Sequence, residues 1–175
     1  MRDQQKFKRT EIGKMPKEWE VVRLGDKISL EYGKGLTEAQ RKNGGYPVFG
    51  SNGIVGYHND FLTRGPGIVV GRKGTIGAIS WSEDNFWPID TTYFVEVTSD
   101  DVDLRLLYYE LISLTLSKLN TATGTPGLNR DLAYSQVILL PPFSPSSASL
   151  SFLHLLHLMQ LIHLPHLLVP LLLPS

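Results

Sequence analysis

Short runs rich in Val, Ile, Tyr, Phe and Thr, punctuated by glycine, fill the middle of the chain and predict strands at Gly67–Val70, Ile76–Trp81 and Thr91–Val97. Upstream, Trp19, Val21 and Leu24 can anchor a short strand and turn, and residues 31–45 read as a loop with one helical turn. From Ser99 the period changes. Ser99, Asp100 and Asp101 make a capping, acidic first turn. Leu104, Leu107, Tyr108, Leu111, Ile112, Thr115 and Leu119 then fall on one face of a helix running to about Leu119. Gly and Pro in TATGTPGLNRDLAYSQ break the helical pattern, and VILLPP forms a last strand. The fold class is α+β, compact and strand-rich, with one main packed helix.

Two copies of one glycine spacing organise this pattern. Gly50, Gly53 and Gly56 recur as Gly71, Gly74 and Gly77, 21 residues later. Glycine at every third position suits tight turns and close backbone approach, not a helix interior. The spacing is not the dinucleotide fingerprint, whose first two glycines stand one residue apart. Nor is GRKGTIG a phosphate-binding P-loop, because no glycine-lysine-hydroxyl triplet opens a helix. The remaining reading is a pair of hairpin-like turns carrying polar groups that can hold a ligand. These are Ser51 and Asn52 on the first turn and Arg72, Lys73 and Thr75 on the second, with Arg72 and Lys73 projecting outwards.

Composition narrows the chemistry. The 175 residues fit one domain, with 17 basic and 17 acidic side chains. The neutral sum hides an asymmetry: residues 1–42 hold 11 basic and 7 acidic groups, residues 43–131 hold 6 and 10, and residues 132–175 hold none. With no cysteine, disulfides, thiolate catalysis and cysteine zinc sites are excluded. The first residues lack an apolar signal region, so a cytoplasmic location is expected. Asp90 and Glu96 lack the lysine spacing of a nuclease triad. In LPPF, Leu140 stands where an amino-methyltransferase needs Asn, Asp or Ser, so no methyl transfer by this chain is expected.

The phrases IGKMPKEWEVVRLGDK, YPVFGSNGIVGYH, GIVVGRKGTIG, IDTTYFV and GTPGLNRDLAYSQVILLPP occur in this order between about Thr10 and Pro142. Together they resemble the target recognition domain of a type I restriction-modification DNA specificity subunit. The resemblance implies a module that binds double-stranded DNA and reads one half of a bipartite target. It also implies the first of two such domains in a full subunit. Methyltransferase (M) and restriction (R) subunits would be its partners, and would supply S-adenosylmethionine, ATP and Mg; no cofactor and no metal are expected on this chain. Candidate DNA contacts are Lys34, Lys42 and Asn43, with Arg41, toward phosphates, and Ser51, Asn52, Arg72, Lys73 and Thr75 on the glycine turns. Arg, Asn and Thr suit base edges, and Arg72 is the leading candidate for a base or phosphate contact against a surface ion pair. His58 joins them, although a lone histidine beside a turn is more often hydrogen-bonded scaffold. The resemblance adds Thr125, Asn129 and Arg130, with Thr123, on the loop before the last strand. Trp81, Phe86 and Trp87 read as half-buried packing more than as base-stacking platforms.

The recognition domain is thus assigned to residues 1–142. Residues 143–175 form an uncharged Leu/His/Pro-rich tail where the family continues with Leu-Pro-Glu-Gln-Arg and a long charged helix. Chosen codons for FSPSSAS, read two bases on, give that family phrase, so out-of-frame translation and a truncated subunit are expected. Without spacer helices, assembly with M and R subunits is in doubt. A membrane span over Phe152–Leu173 is disfavoured by four histidines and two prolines, and the His-x2-His pairs there carry no metal expectation. The alternatives are a non-functional truncated product or a β-rich module binding a protein or other non-DNA ligand.

Overall fold

The computed structural model describes residues 7–10, 13–119 and 126–142. Thr123, Thr125 and the 143–175 tail lie outside the described residues. The described residues fall into two compact units, one of residues up to 20 with 140–142, the other of residues from 21 to 139. In the first, β1 (Phe7–Thr10) pairs antiparallel with β2 (Gly13–Pro16), Lys8 opposite Met15. The Lys8 ammonium donates to the Trp19 carbonyl, and Trp19 is buried.

The second unit carries the expected strand-rich architecture. Its strands are β3 (Glu20–Arg23), β4 (Ile28–Tyr32), β5 (Tyr46–Gly50), β6 (Gly53–His58), β7 (Gly67–Gly71), β8 (Ile79–Ser82), β9 (Trp87–Pro88), β10 (Thr92–Val97) and β11 (Val137–Leu140). A four-stranded sheet runs β4-β10-β7-β8, a three-stranded sheet runs β6-β5-β9, and β3 pairs with β11. β7 is buried at every residue, which explains its unbroken GIVVG run: a strand covered on both faces needs no polar alternation. Phe49, Val69 and Phe86 form a core cluster, with the Phe49 and Phe86 rings edge-to-face at 5.6 Å.

Two elements differ from expectation. β8 begins at Ile79, not Ile76, because residues 74–77 are spent on closing a turn. The main helix, α1 (Leu104–Ser113), starts and stops inside its expected limits. Asp103 is the cap, its carboxylate accepting from the Leu106 amide at 2.7 Å. Ser99 and Asp101 are engaged elsewhere: the Ser99 hydroxyl donates to Asp101, which also pairs with Lys27 at 2.5 Å. Local hydrogen bonds of this kind compete with helix initiation. After Leu114, Thr115 takes a left-handed φ of 49°, and Leu116–Leu119 tighten into a 3-10 turn.

The buried face of α1 is also turned relative to the expected one. Leu106, Leu107, Glu110 and Leu111 are buried, bringing a carboxylate inside. The Glu110 carboxylate accepts the Leu139 amide of β11 at 3.4 Å. A short second helix, α2 (Arg130–Tyr134), follows. Its Tyr134 hydroxyl accepts the Leu30 amide at 2.9 Å, fixing α2 against β4.

Candidate nucleic-acid interface

The two glycine turns meet. The first is a two-residue hairpin, with Gly50 opposite Gly53 and Ser51-Asn52 at its tip. The second joins the antiparallel pair β7 and β8, closed where Gly77 donates to the Gly71 carbonyl at 2.7 Å and Gly71 donates to Ala78 at 2.8 Å. Gly71 is where they touch. A Cβ added there would lie 2.1 Å from the Thr75 carbonyl oxygen and 2.8 Å from that of Ser51, so only glycine lets both backbones approach. The Thr75 amide donates to the Ser51 hydroxyl at 3.4 Å. Asn52, Lys73 and Thr75 are exposed and Ser51 is half-buried. Repeated spacing in sequence has thus become a shared surface in space.

Arg72 does not project freely. Its Nε and Nη2 donate to the Asp90 carbonyl at 3.2 and 2.5 Å, and its guanidinium lies 5.3 Å from the Tyr32 ring centroid and 5.8 Å from that of Tyr93. The Arg72 carbonyl accepts the Leu128 amide at 2.9 Å, which ties the second turn to the segment before α2. Arg130, the first residue of α2, also has its guanidinium 5.3 Å from the Tyr32 centroid. Tyr32 is absent from the sequence-level candidates. Nothing in LEYGKG marks it, because its importance comes from two arginines distant in the chain.

Asn129 has a different employment. Its Oδ1 accepts the Leu132 amide at 3.0 Å as the cap of α2. Asn129→Ala should therefore lower unfolding stability by about 1 kcal/mol, while Asn129→Ser restores most of it. Urea unfolding of the three chains checks this; equal stability of all three would show the cap to be dispensable.

The remaining candidates gather elsewhere, at the far end of β6. His58 is 7% exposed and its Nδ1 accepts the Lys42 amide at 2.9 Å, so the ring is occupied in holding the loop. It packs edge-to-face on Trp87 at 5.5 Å, and Trp87 donates its indole N–H to the Lys34 carbonyl. The Lys34 ammonium sits 6.0 Å from the Trp87 ring. Lys42 and Asn43 are exposed. Five residues of strand separate the two groups, roughly 16 Å, so the candidates form two patches. The aromatic residues likewise separate. Phe86 is core, Trp87 packs on His58, and Trp81 lies 5.6 Å from Tyr108 with the Arg105 guanidinium 3.9 Å above it.

Among the described residues no group of acidic or histidine side chains is arranged to hold a metal, and no helix is long and apolar enough to cross a membrane. Exposed amide, hydroxyl and amino groups thus lie on adjoining turns, and two guanidiniums approach the Tyr32 ring at the end of β4. Residues 16–154 match the type I restriction modification DNA specificity domain, and the chain belongs to that family. No curated protein sequence matches it significantly.

Solved structures agree on the fold. The type I restriction-modification system S subunit from M. genitalium superposes with a TM-score of 0.61 at 20% identity, over 70% of this chain and 34% of that one. The HsdS subunit from Thermoanaerobacter tengcongensis gives 0.60 at 15% identity, over 91% and 41%. A chain from a structure of type I R-M complex assembly and conformational transition gives 0.61 at 15%, over 85% and 39%. The chain therefore spans well under half the length of each of these proteins.

Proposed function

We propose that this domain binds duplex DNA and reads one half of a bipartite target, as part of the specificity component of a type I restriction-modification complex. The observation that carries the reading is the abutment of the two glycine turns at Gly71, which brings the turn bearing Asn52 against the turn bearing Lys73 and Thr75, all three exposed. An amide, an ammonium and a hydroxyl offer donors and acceptors suited to base edges in the major groove. Arg72 and Arg130 serve the backbone, as positioning contacts do. Chemistry belongs to partners: methyltransferase and restriction subunits would bring S-adenosylmethionine, ATP and Mg to the site this domain selects.

The test is selection of random duplexes by the full chain at two salt concentrations, followed by sequencing of the retained DNA. One short motif should be enriched. Asn52→Ala together with Thr75→Ala should erase the preference at one or two positions, about 1–3 kcal/mol of discrimination per contact, while leaving unselective binding in place. Absence of any binding at low salt would overturn the reading.

A further inference from the structure

Tyr32 is 54% exposed, yet it is the point on which two arginines converge from separate parts of the chain. It ends β4; Arg72 follows β7, and Arg130 opens α2. Each guanidinium carbon lies 5.3 Å from its ring centroid, within cation–π range. Two like charges gathered on one ring repel each other, so the arrangement calls for a compensating anion. Among the described residues neither arginine has a carboxylate partner; the only ion pairs there are Lys27–Asp101 and Arg105–Glu83. The second ring offers no charge either. Burial first, then its hydrogen bond with Tyr32, pushes the Tyr93 hydroxyl up to about 12, so it stays neutral.

The hydrogen bonds leave the two guanidiniums open in a specific way. The Asp90 carbonyl takes the Nε and Nη2 side of Arg72, which holds the group still and leaves Nη1 and the remaining Nη2 hydrogen without an acceptor among the described residues. Arg130 spends Nη1 on a long 3.4 Å contact with the Leu30 carbonyl. A planar fork fixed along one edge and open along the other suits a phosphate oxygen pair.

We propose that Tyr32, Arg72 and Arg130 form a single phosphodiester clamp, in which the Tyr32 ring is the positioning residue that presents both guanidiniums to adjacent DNA phosphates. The clamp rests on the DNA reading above and adds to it an anchoring site separate from the turn groups that read bases. It grips every duplex alike. The ring, not the hydroxyl, does the positioning, so phenylalanine can replace Tyr32 and leucine cannot.

The experiment measures affinity of the full chain for a labelled random-sequence duplex across a salt series. Arg72→Ala and Arg130→Ala should each weaken binding roughly tenfold and make the salt slope shallower by about one. Tyr32→Leu should match or exceed either, with the thermal midpoint unchanged, and Tyr32→Phe should bind as the parent does. Arg72→Ala combined with Tyr32→Leu should cost less than the two losses added. Equal binding by Tyr32→Leu and the parent would overturn the clamp while leaving the DNA reading intact. A loss confined to one duplex sequence would do the same, since it would mean base reading. Displacement of the duplex by inorganic phosphate beyond that by chloride at equal ionic strength should disappear when Arg72→Ala and Arg130→Ala are combined; its persistence there would place the phosphate-binding site elsewhere and overturn the clamp too. If the parent binds no duplex at low salt, the DNA reading and the clamp fall together.

Discussion

Gly77→Ala should lower unfolding stability by about 2–5 kcal/mol, through two costs at one position. Gly77 sits at φ 72°, a left-handed conformation that costs an L side chain about 1–2 kcal/mol. Its missing side chain is also occupied space. An added Cβ would lie 2.4 Å from the Ser117 amide nitrogen and 2.9 Å from the Leu116 side chain, and Leu116 is 1% exposed. Forcing an extra methyl into such a place costs about 1–3 kcal/mol. For a chain of this length the thermal midpoint should fall by roughly 4–20 °C. Gly45→Ala is the control, because nothing lies within 4 Å of its would-be Cβ, and it should stay within about 0.5 kcal/mol of the parent. Equal midpoints for the two variants would mean that the second turn does not pack on the 116–119 segment as described. DNA affinity measured on folded Gly77→Ala should also fall, since the same turn carries Lys73 and Thr75.

The second large effect depends on pH. Burial raises the Glu110 carboxyl from an ordinary 4.5 to about 7, against the smaller opposing pull of the Leu139 amide. The folded chain therefore holds this proton more tightly than the unfolded chain. Glu110 supports the fold fully below about pH 4.5, and that support is lost as pH rises through about 7. The span corresponds to about 3 kcal/mol. Glu110→Gln keeps the shape and an oxygen acceptor for Leu139 but removes the ionisation. It should match the parent near pH 4.5 and exceed it by up to about 3 kcal/mol at pH 8, as urea unfolding at pH 4.5, 6, 7 and 8 would show. Parallel pH profiles for the two chains would sink the assignment.

Glu110 also shows how far periodicity carries. The 3.6-residue pattern announces α1 and its burial, but Leu106 and Glu110 do not belong to the expected stripe, and the face is decided by what β8 and β11 present. An ionisable residue inside the core is invisible to a pattern that assumes polar means outside. The cap went the same way. Ser99 and Asp101 have the right chemistry, but their hydrogen bonds to each other and to Lys27 leave Asp103 to start the helix.

The sequence by itself determined the strand-rich α+β class, the main helix, the two glycine turns and the family, because these depend on local conformational demands and on ordered phrases. Glycine spacing reports a backbone constraint directly. Only tertiary structure decided that the two turns touch at Gly71, that His58 and Asn129 serve as scaffold and cap, and that Arg72 and Arg130 meet on Tyr32. The last of these joins residues tens of positions apart: β7 lies beside β10 and β10 beside β4, which carries Tyr32 and Arg72 to one end of the sheet, and the Tyr134 hydroxyl on the Leu30 amide holds α2, with Arg130, against β4. Local sequence encodes what each segment can be; the sheet order settles which side chains share a surface.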